Sequence, residues 1–321
     1  MDFKQPVQGQ NTYMPPSPAL YGQPPPPPSY PPMVLQEFVI ANGITDRNLK
    51  AFPSETSMRM YKEYNKLSKH HLDFPRAKSN QNASIGLPLV ISKRCLSIGL
   101  GDTSYLRFFE CVPAPEARDR LYDKVDNRHI GEVLRRKFIG YTRYRLQLKG
   151  VETVVFAHLR LPIVDLRIND ERFRFVKAIS PVLNPDRFLY DLYLLAPDQV
   201  SLVDNMDSSR KVHKSNLLLG GLLHNIFPIR WCSRDRSKYI SPHKCGSFDY
   251  YRSWEMFTRT KKCSVFSMYT YAVGNVDATA AVEFRSLILV AVSLILQSIE
   301  DDLHLARTAR RNSNTTTNNV H

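Results

Sequence analysis

A chain of 321 residues has room for one large domain or two of ordinary size, and its 43% hydrophobic content rules out a wholly disordered protein. Lys and Arg number 44 against 30 Asp and Glu, so the formal charge is +14 and the partners favoured are anionic: RNA, DNA or an acidic membrane leaflet. Five cysteines without regular spacing exclude a disulfide scaffold and point to a reducing compartment.

Residues 1–33, rich in Pro, Gln, Tyr and Ser, are predicted to form a disordered arm. Within it the run Pro24 to Pro28 leads into the tetrapeptide Pro27-Pro28-Ser29-Tyr30, a PPxY sequence. Proline pre-sets φ near the polyproline II value, so little entropy is lost on docking, and WW domains hold such segments in an aromatic-lined groove. Met1-Asp2-Phe3-Lys4-Gln5 lacks the apolar stretch of a secretory signal, and Asp2 excludes the N-myristoylation motif.

Residues 34–84 read as a linker with a short helix between Thr56 and Leu72, followed by a loop at Asn80-Gln81-Asn82. From Leu87 onward short apolar runs alternate with turn signals. Strands are expected over 87–100, 105–112, 138–148, 153–168, 172–176 and 188–195, with a helix between Glu116 and Arg136. The polar, basic stretch from Asp204 to Ser215 reads as a domain junction. Further strands are expected over 226–231 and 263–273, beyond the apolar run at 217–223. The strongest helix runs from Ala278 to Arg311 behind an Asp277 N-cap, and its middle is apolar nearly all round, as in a buried or subunit-contact helix. The apolar run Leu287 to Leu296 is too short to span a bilayer.

The fold class expected is therefore α+β, mainly β: a β-sandwich-like body with a long C-terminal helix and a disordered N-terminal arm. The divisions are the arm at 1–33, the linker at 34–84, an N-terminal β-rich domain at 85–204, a C-terminal β-rich domain ending in the helix at 205–311, and a disordered tail at 312–321.

Basic residues dominate the candidate binding positions. Between Arg135 and Lys177 there are 11 Lys or Arg and 4 acids, and between Asp207 and Lys262 there are 12 against 4. Arg143 with Arg145, and Arg172 with Arg174, alternate with core residues, which places each pair on one sheet face. Arg234, Arg236, Lys238 and Lys244 fall in one loop-like stretch, and Arg259, Lys261 and Lys262 in another. These eleven are the candidates for anionic lipid or RNA. Tyr239, Phe248, Tyr250, Tyr251, Trp254 and Phe257 interleave with them, as core residues, base-stacking platforms or interfacial anchors.

Cys232, His243, Cys245 and Cys263 fit no zinc-site spacing, and neither a metal nor a cofactor is expected. Walker A, GxGxxG, HExxH and GxSxG sequences are missing, and Asp165 after its apolar run reads as a turn residue or a partner for Arg167. A non-enzymatic protein is expected.

The PPxY at Pro27, Pro28, Ser29 and Tyr30, ahead of a basic, mainly β body, resembles the layout of matrix proteins of negative-strand RNA viruses of the filovirus and rhabdovirus groups. The resemblance rests on those four residues and on the layout. It implies a protein of the virion and of the host cytoplasm, held peripherally at the inner face of the plasma membrane. Such a protein binds anionic phospholipid and self-associates as a dimer or higher oligomer. It recruits a WW-domain HECT-type ubiquitin ligase for budding, with the viral nucleocapsid or RNA as a further partner. Two other readings use the same residues: a viral RNA-binding protein of nucleocapsid or movement type, and a cellular WW-binding adaptor.

Overall fold

The computed structural model describes residues 33–43, 48–95, 99, 101–112, 127–178, 187–206, 208–218, 239–251, 260–271 and 276–318. The Pro-rich arm with Pro27, Pro28, Ser29 and Tyr30, the expected strand at 226–231, and Arg234, Arg236, Lys238 and Arg259 lie outside these residues.

Twelve strands account for most of the body: β1 (Met33–Gly43), β2 (Leu49–Phe52), β3 (Val90–Arg94), β4 (Thr103–Cys111), β5 (Asn127–Lys137), β6 (Tyr141–Leu148), β7 (Val151–His158), β8 (Ile163–Ile168), β9 (Glu171–Ala178), β10 (Arg187–Leu194), β11 (His243–Tyr251) and β12 (Thr260–Tyr271). Each pairs antiparallel with its neighbours in sequence, and β1 pairs with β12 from Met33↔Tyr271 to Gly43↔Thr260, closing the sheet into a barrel. Two short helices, α1 (Glu55–Tyr64) and α2 (Phe74–Asn82), sit between β2 and β3. The last element is α3 (Val276–Asn318).

The expected sandwich is thus corrected to a closed barrel. Alternation in a sequence identifies strands with one buried face; it does not say whether the two edge strands meet. Here the edges meet because something inside needs complete enclosure. Ile288, Leu289, Val290, Ala291, Val292, Ser293, Leu294, Ile295 and Leu296 of α3 are all buried, on every side of the helix. All but Ser293 belong to one cluster with inward-facing strand residues such as Phe38, Ile40, Phe108, Val133, Leu166, Phe175, Leu192, Phe248 and Phe266. The helix therefore occupies the barrel lumen. Eight strands leave room only for side chains, whereas eleven-stranded barrels enclose a helix of about 10 Å diameter, so twelve strands suffice.

One barrel draws its strands from all three segments 34–84, 85–204 and 205–311. The segment read as a linker contributes β1, β2, α1 and α2. α1 starts at Ser54, whose hydroxyl accepts from the Ser57 amide, and lays Met58 and Tyr61 over Val39, Ala41 and Phe52 on the outside of β1 and β2. Asn80-Gln81-Asn82, read as a loop, ends α2.

The helix expected before Arg136 is a strand over its described part, 127–136. Its apolar spacing suits a helix, but pairing with β4 and β6 along its length prevails. At its centre, a Cβ on Gly131 would meet the Gln147 carbonyl oxygen at 2.0 Å, so only glycine admits that approach.

The stretch read as a domain junction is instead a strap. Residues 196–206 and 208–217 cross the outer face of the barrel, where Leu202, Val203 and Val212 pack with Tyr141, Val154, Phe156, Ile163, Val176 and Tyr193 in a second apolar cluster. The strands beneath are accordingly buried on both faces, inward on α3 and outward on the strap.

Leu294 is fully buried in the lumen. Leu294→Ala should lower unfolding free energy by about 2–5 kcal/mol in urea denaturation, the cost of a cavity in a close-packed core. A variant as stable as the native chain would mean that α3 does not fill the barrel.

Candidate functional site

Three polar assemblies occupy the outside and the ends of the barrel, and their geometry decides which charges are available to a partner. The first fastens α3. At the end where the helix enters, Arg285 meets Glu171 at 3.0 Å and the Ser286 hydroxyl donates to Gln36 at 3.2 Å. Midway, Ser264 donates to Gln297 at 2.7 Å, and Gln297 reaches Cys263, whose thiol burial pushes up to about 12.

At the exit end, three consecutive acids meet the rim. Asp302 pairs with Arg94 at 2.8 Å and Arg135 at 3.4 Å and accepts from the Tyr105 hydroxyl at 2.9 Å. Asp301 takes Arg94 at 3.0 Å and the Tyr250 hydroxyl at 2.7 Å. Glu300, buried, takes Lys177 at 2.5 Å and the Tyr190 hydroxyl. Burial lowers the Lys177 pKa against the opposing pull of Glu300 and raises that of Tyr190, reinforced by Glu300. These contacts fix the depth and rotation of the helix; they leave no acid of the triplet without a basic partner.

The second assembly hangs the strap on arginines. Arg174 and Asp165 are both buried and form a bidentate pair at 2.7 and 2.8 Å. Asp165 also accepts from the Ser201 hydroxyl at 2.9 Å and the Leu202 amide at 2.8 Å, while Arg174 donates to the Val200 carbonyl at 2.8 Å. Arg172 donates to the Ala196 carbonyl at 2.6 Å, the Gln199 carbonyl at 3.0 Å and Asp204 at 2.9 Å. Arg143, buried, donates to the carbonyls of Ser209 at 2.6 Å and Arg210 at 3.1 Å and grips Asp102 at 2.9 Å. Arg145 bridges Asp102 at 3.3 Å and Glu152 at 3.0 Å. Burial pulls the Asp102 carboxyl upward, but Arg143 and Arg145 outweigh it and hold it below its ordinary value.

Alternation thus correctly places Arg143 with Arg145, and Arg172 with Arg174, on the outer face of the sheet, but each of the four is engaged by carboxylates or carbonyls. Lys244 pairs with Asp191 at 2.6 Å and is half exposed. Lys261 and Lys262 lie in β12 opposite Asn42 and Ala41 of β1. Tyr239, Phe248 and Tyr250 are buried, so they serve as core and not as stacking platforms. Asp165 partners Arg174, not Arg167, which meets Asp204 at 3.3 Å.

The third assembly is the rim formed by the β5–β6 and β7–β8 turns. Phe138 stacks on Tyr141 with centroids 4.8 Å apart, and the guanidinium groups of Arg136 and Arg143 lie 5.2 and 5.3 Å from its ring centre. Ile139, at the apex, is 99% exposed, and Gly140 turns the chain at φ +91°. The Leu159 amide donates to the Gly140 carbonyl at 2.9 Å, tying the second turn to the first. Nδ1 of His158 accepts from the amides of Arg160 at 3.1 Å and Leu161 at 2.9 Å, which requires that nitrogen unprotonated. Burial, chiefly, lowers the His158 pKa and favours the neutral ring. The strap reaches this rim too: the Val212 amide donates to the Tyr141 hydroxyl at 3.2 Å.

A surface cleft of 740 Å³ lies beside Gly131 and Gly150, but its Glu110 pairs with Arg128 and Lys149 and its Glu152 with Arg145 and Arg210. A 590 Å³ cleft at the entry of α3 is lined by Phe38, Leu89, Phe284, Leu287 and Val290. Among the described residues, no three His, Cys, Asp or Glu side chains are placed to hold a metal. No helix of the described residues is long and apolar enough to cross a membrane.

A family model, DIA1, matches residues 34–304. That span begins one residue into β1 and ends just past the acidic triplet of α3, so it covers the barrel and its lumen helix and leaves out the Pro-rich arm. No curated protein and no solved structure matches the chain.

Arg174→Met leaves Asp165 charged and buried without its partner, and should cost about 3–5 kcal/mol and release the strap to limited proteolysis. Arg145→Ala, which breaks part-exposed pairs, should cost no more than about 1 kcal/mol. Equal effects in chemical denaturation would contradict the strap's dependence on the buried pair.

Proposed function

The chain belongs to the DIA1 family, and we propose that it is a non-catalytic attachment protein of the viral-matrix type. It lies against an anionic leaflet, associates with further copies of itself, and offers Pro27-Pro28-Ser29-Tyr30 to a WW-domain ubiquitin ligase during budding. The observation that carries this reading is the filled lumen. A barrel that encloses its own helix has no interior left for a small substrate, so its partners meet the exterior.

Charge supports the same reading. Asp102, Asp165 and Asp204 on the strap side and Glu300, Asp301 and Asp302 at the α3 exit are engaged by arginines and lysines, and the chain as a whole carries an excess of basic groups, +14. Each basic residue held near an anionic leaflet contributes on the order of 1 kcal/mol, so a handful is enough for peripheral attachment. The exterior is unlike that of a membrane-spanning barrel. Arg143, Arg145, Asp165, Arg167, Arg172 and Arg174 stand on the outer face of β6, β8 and β9 and several of them bind the strap that crosses it, where a spanning barrel carries a bare apolar band. The burial of Tyr239, Phe248 and Tyr250 takes three of the six candidate stacking aromatics into the core, which favours lipid over single-stranded RNA; Trp254 and Phe257 lie outside the described residues.

Nuclease-treated protein should float with phosphatidylserine-containing vesicles at physiological salt and stay behind with phosphatidylcholine alone. Flotation with both or with neither would overturn the leaflet assignment. For the arm, Tyr30→Ala should abolish capture by an immobilised WW domain while leaving the melting temperature unchanged. Undiminished capture would remove the recruitment role.

A further inference from the structure

We propose that the rim built from the β5–β6 and β7–β8 turns is the edge that enters the leaflet. Ile139 and Leu159 pass into the acyl boundary, and the basic groups around them hold the headgroup phosphates. This rests on the leaflet reading above and names the face that makes it.

The two turns present aliphatic side chains in a way that folding does not require. At the first apex Phe138 is turned under, stacked on Tyr141, while Ile139 stands 99% exposed. At the second, Leu161 is buried and Leu159 is 55% exposed. A single exposed leucine is ordinary; two aliphatics on neighbouring turns, locked together by the bond from the Leu159 amide to the Gly140 carbonyl, form a rigid apolar tip. His158 stiffens the second turn by accepting from two of its amides. A tip fixed in advance loses little entropy on insertion.

The surroundings match an anionic surface in charge. The rim segments 136–141 and 158–162, with the strap segment 208–217 that passes beside them, contain Arg136, Lys137, Arg160, Arg210, Lys211 and Lys214 and no Asp or Glu. Lys137, Arg160 and Lys214 are exposed, while Arg210 is held by Glu152. Long basic side chains flanking an apolar apex reach phosphates while the apex sits deeper. An RNA strand would find no aromatic face at the apex, since Phe138 is covered by Tyr141 and two guanidinium groups. α3 leaves the barrel at this same rim, with Leu303 and Leu305 exposed. The opposite rim also exposes Met33, Val34 and Leu35, but acids, Glu37 and Glu283, stand close to that mouth.

The test uses the full chain, nuclease-treated, with phosphatidylcholine vesicles containing or lacking phosphatidylserine. Ile139→Ser/Leu159→Ser should weaken apparent vesicle affinity by about tenfold or more, the loss expected when buried aliphatic area is removed, with an unchanged melting temperature. Ile139→Trp keeps an apolar apex and reports insertion directly: its added emission should shift to the blue on phosphatidylserine vesicles and be quenched by brominated acyl chains. If the wild-type protein floats and the double variant floats equally well, with the Ile139→Trp emission unmoved, this edge is overturned while the leaflet reading stands. If the wild-type protein does not float but binds single-stranded RNA in a salt-sensitive way, both are overturned and the basic rim serves nucleic acid.

Discussion

The structure depends on one requirement: a helix that is apolar on every side from Ile288 to Leu296 must be withdrawn from water all round. A packed layer covers one face of such a helix; a closed barrel covers every face. Closure by β1 and β12 satisfies the helix and also removes the open edges that would otherwise invite association with another sheet. The polar groups at either end follow from the same demand. As α3 emerges, its first acids have to be matched, and Arg94, Arg135 and Lys177, with the hydroxyls of Tyr105, Tyr190 and Tyr250, provide that match.

Filling the lumen moves function to the exterior, and the exterior divides its charges into two kinds. Some arginines are structural. Arg143, Arg172 and Arg174 hold the strap to the sheet through carbonyls and carboxylates that water would otherwise have to solvate. The guanidinium fork suits this work because it satisfies several fixed acceptors at once. The other kind sits at turns and on the strap, where Lys137, Arg160 and Lys214 extend into solvent beside two exposed aliphatics. In the proposed reading it is the second kind that meets an anionic surface, while the first kind holds the strap in place.

Much of this was legible in the sequence in its local form and illegible in its global form. Alternation in Tyr144, Leu146 and Leu148 identified β6 and set Arg143 and Arg145 on the opposite face, as found. The apolar run Leu287 to Leu296 announces a helix that is either buried or a subunit contact. Neither pattern says what surrounds the helix, because period-2 strands look the same in a sandwich and in a barrel. β1 is hidden in the sequence because it follows a proline-rich arm and reads as linker, and the described part of the 116–136 stretch mimics a helix because apolar residues on a charged strand fall at helical spacing. The arginines read as ligand-binding because sequence separation hides partners such as Asp102, 41 residues from Arg143. Ile139 carried no sequence signal, since only the folding-under of Phe138 makes it an apex. The acidic triplet Glu300-Asp301-Asp302 does carry one: three acids one helical turn after an apolar stretch demand basic partners at the mouth of whatever encloses it.

The most direct measurement is hydrogen exchange of the full chain with and without phosphatidylserine vesicles. The account predicts that amides of 288–298 in α3 remain among the slowest to exchange in both conditions, while 136–141, 158–162 and 208–217 gain protection on the vesicles. Loss of protection in 288–298 on the vesicles, with those rim segments unchanged, would contradict it, because the helix would then be leaving the barrel to meet the membrane itself.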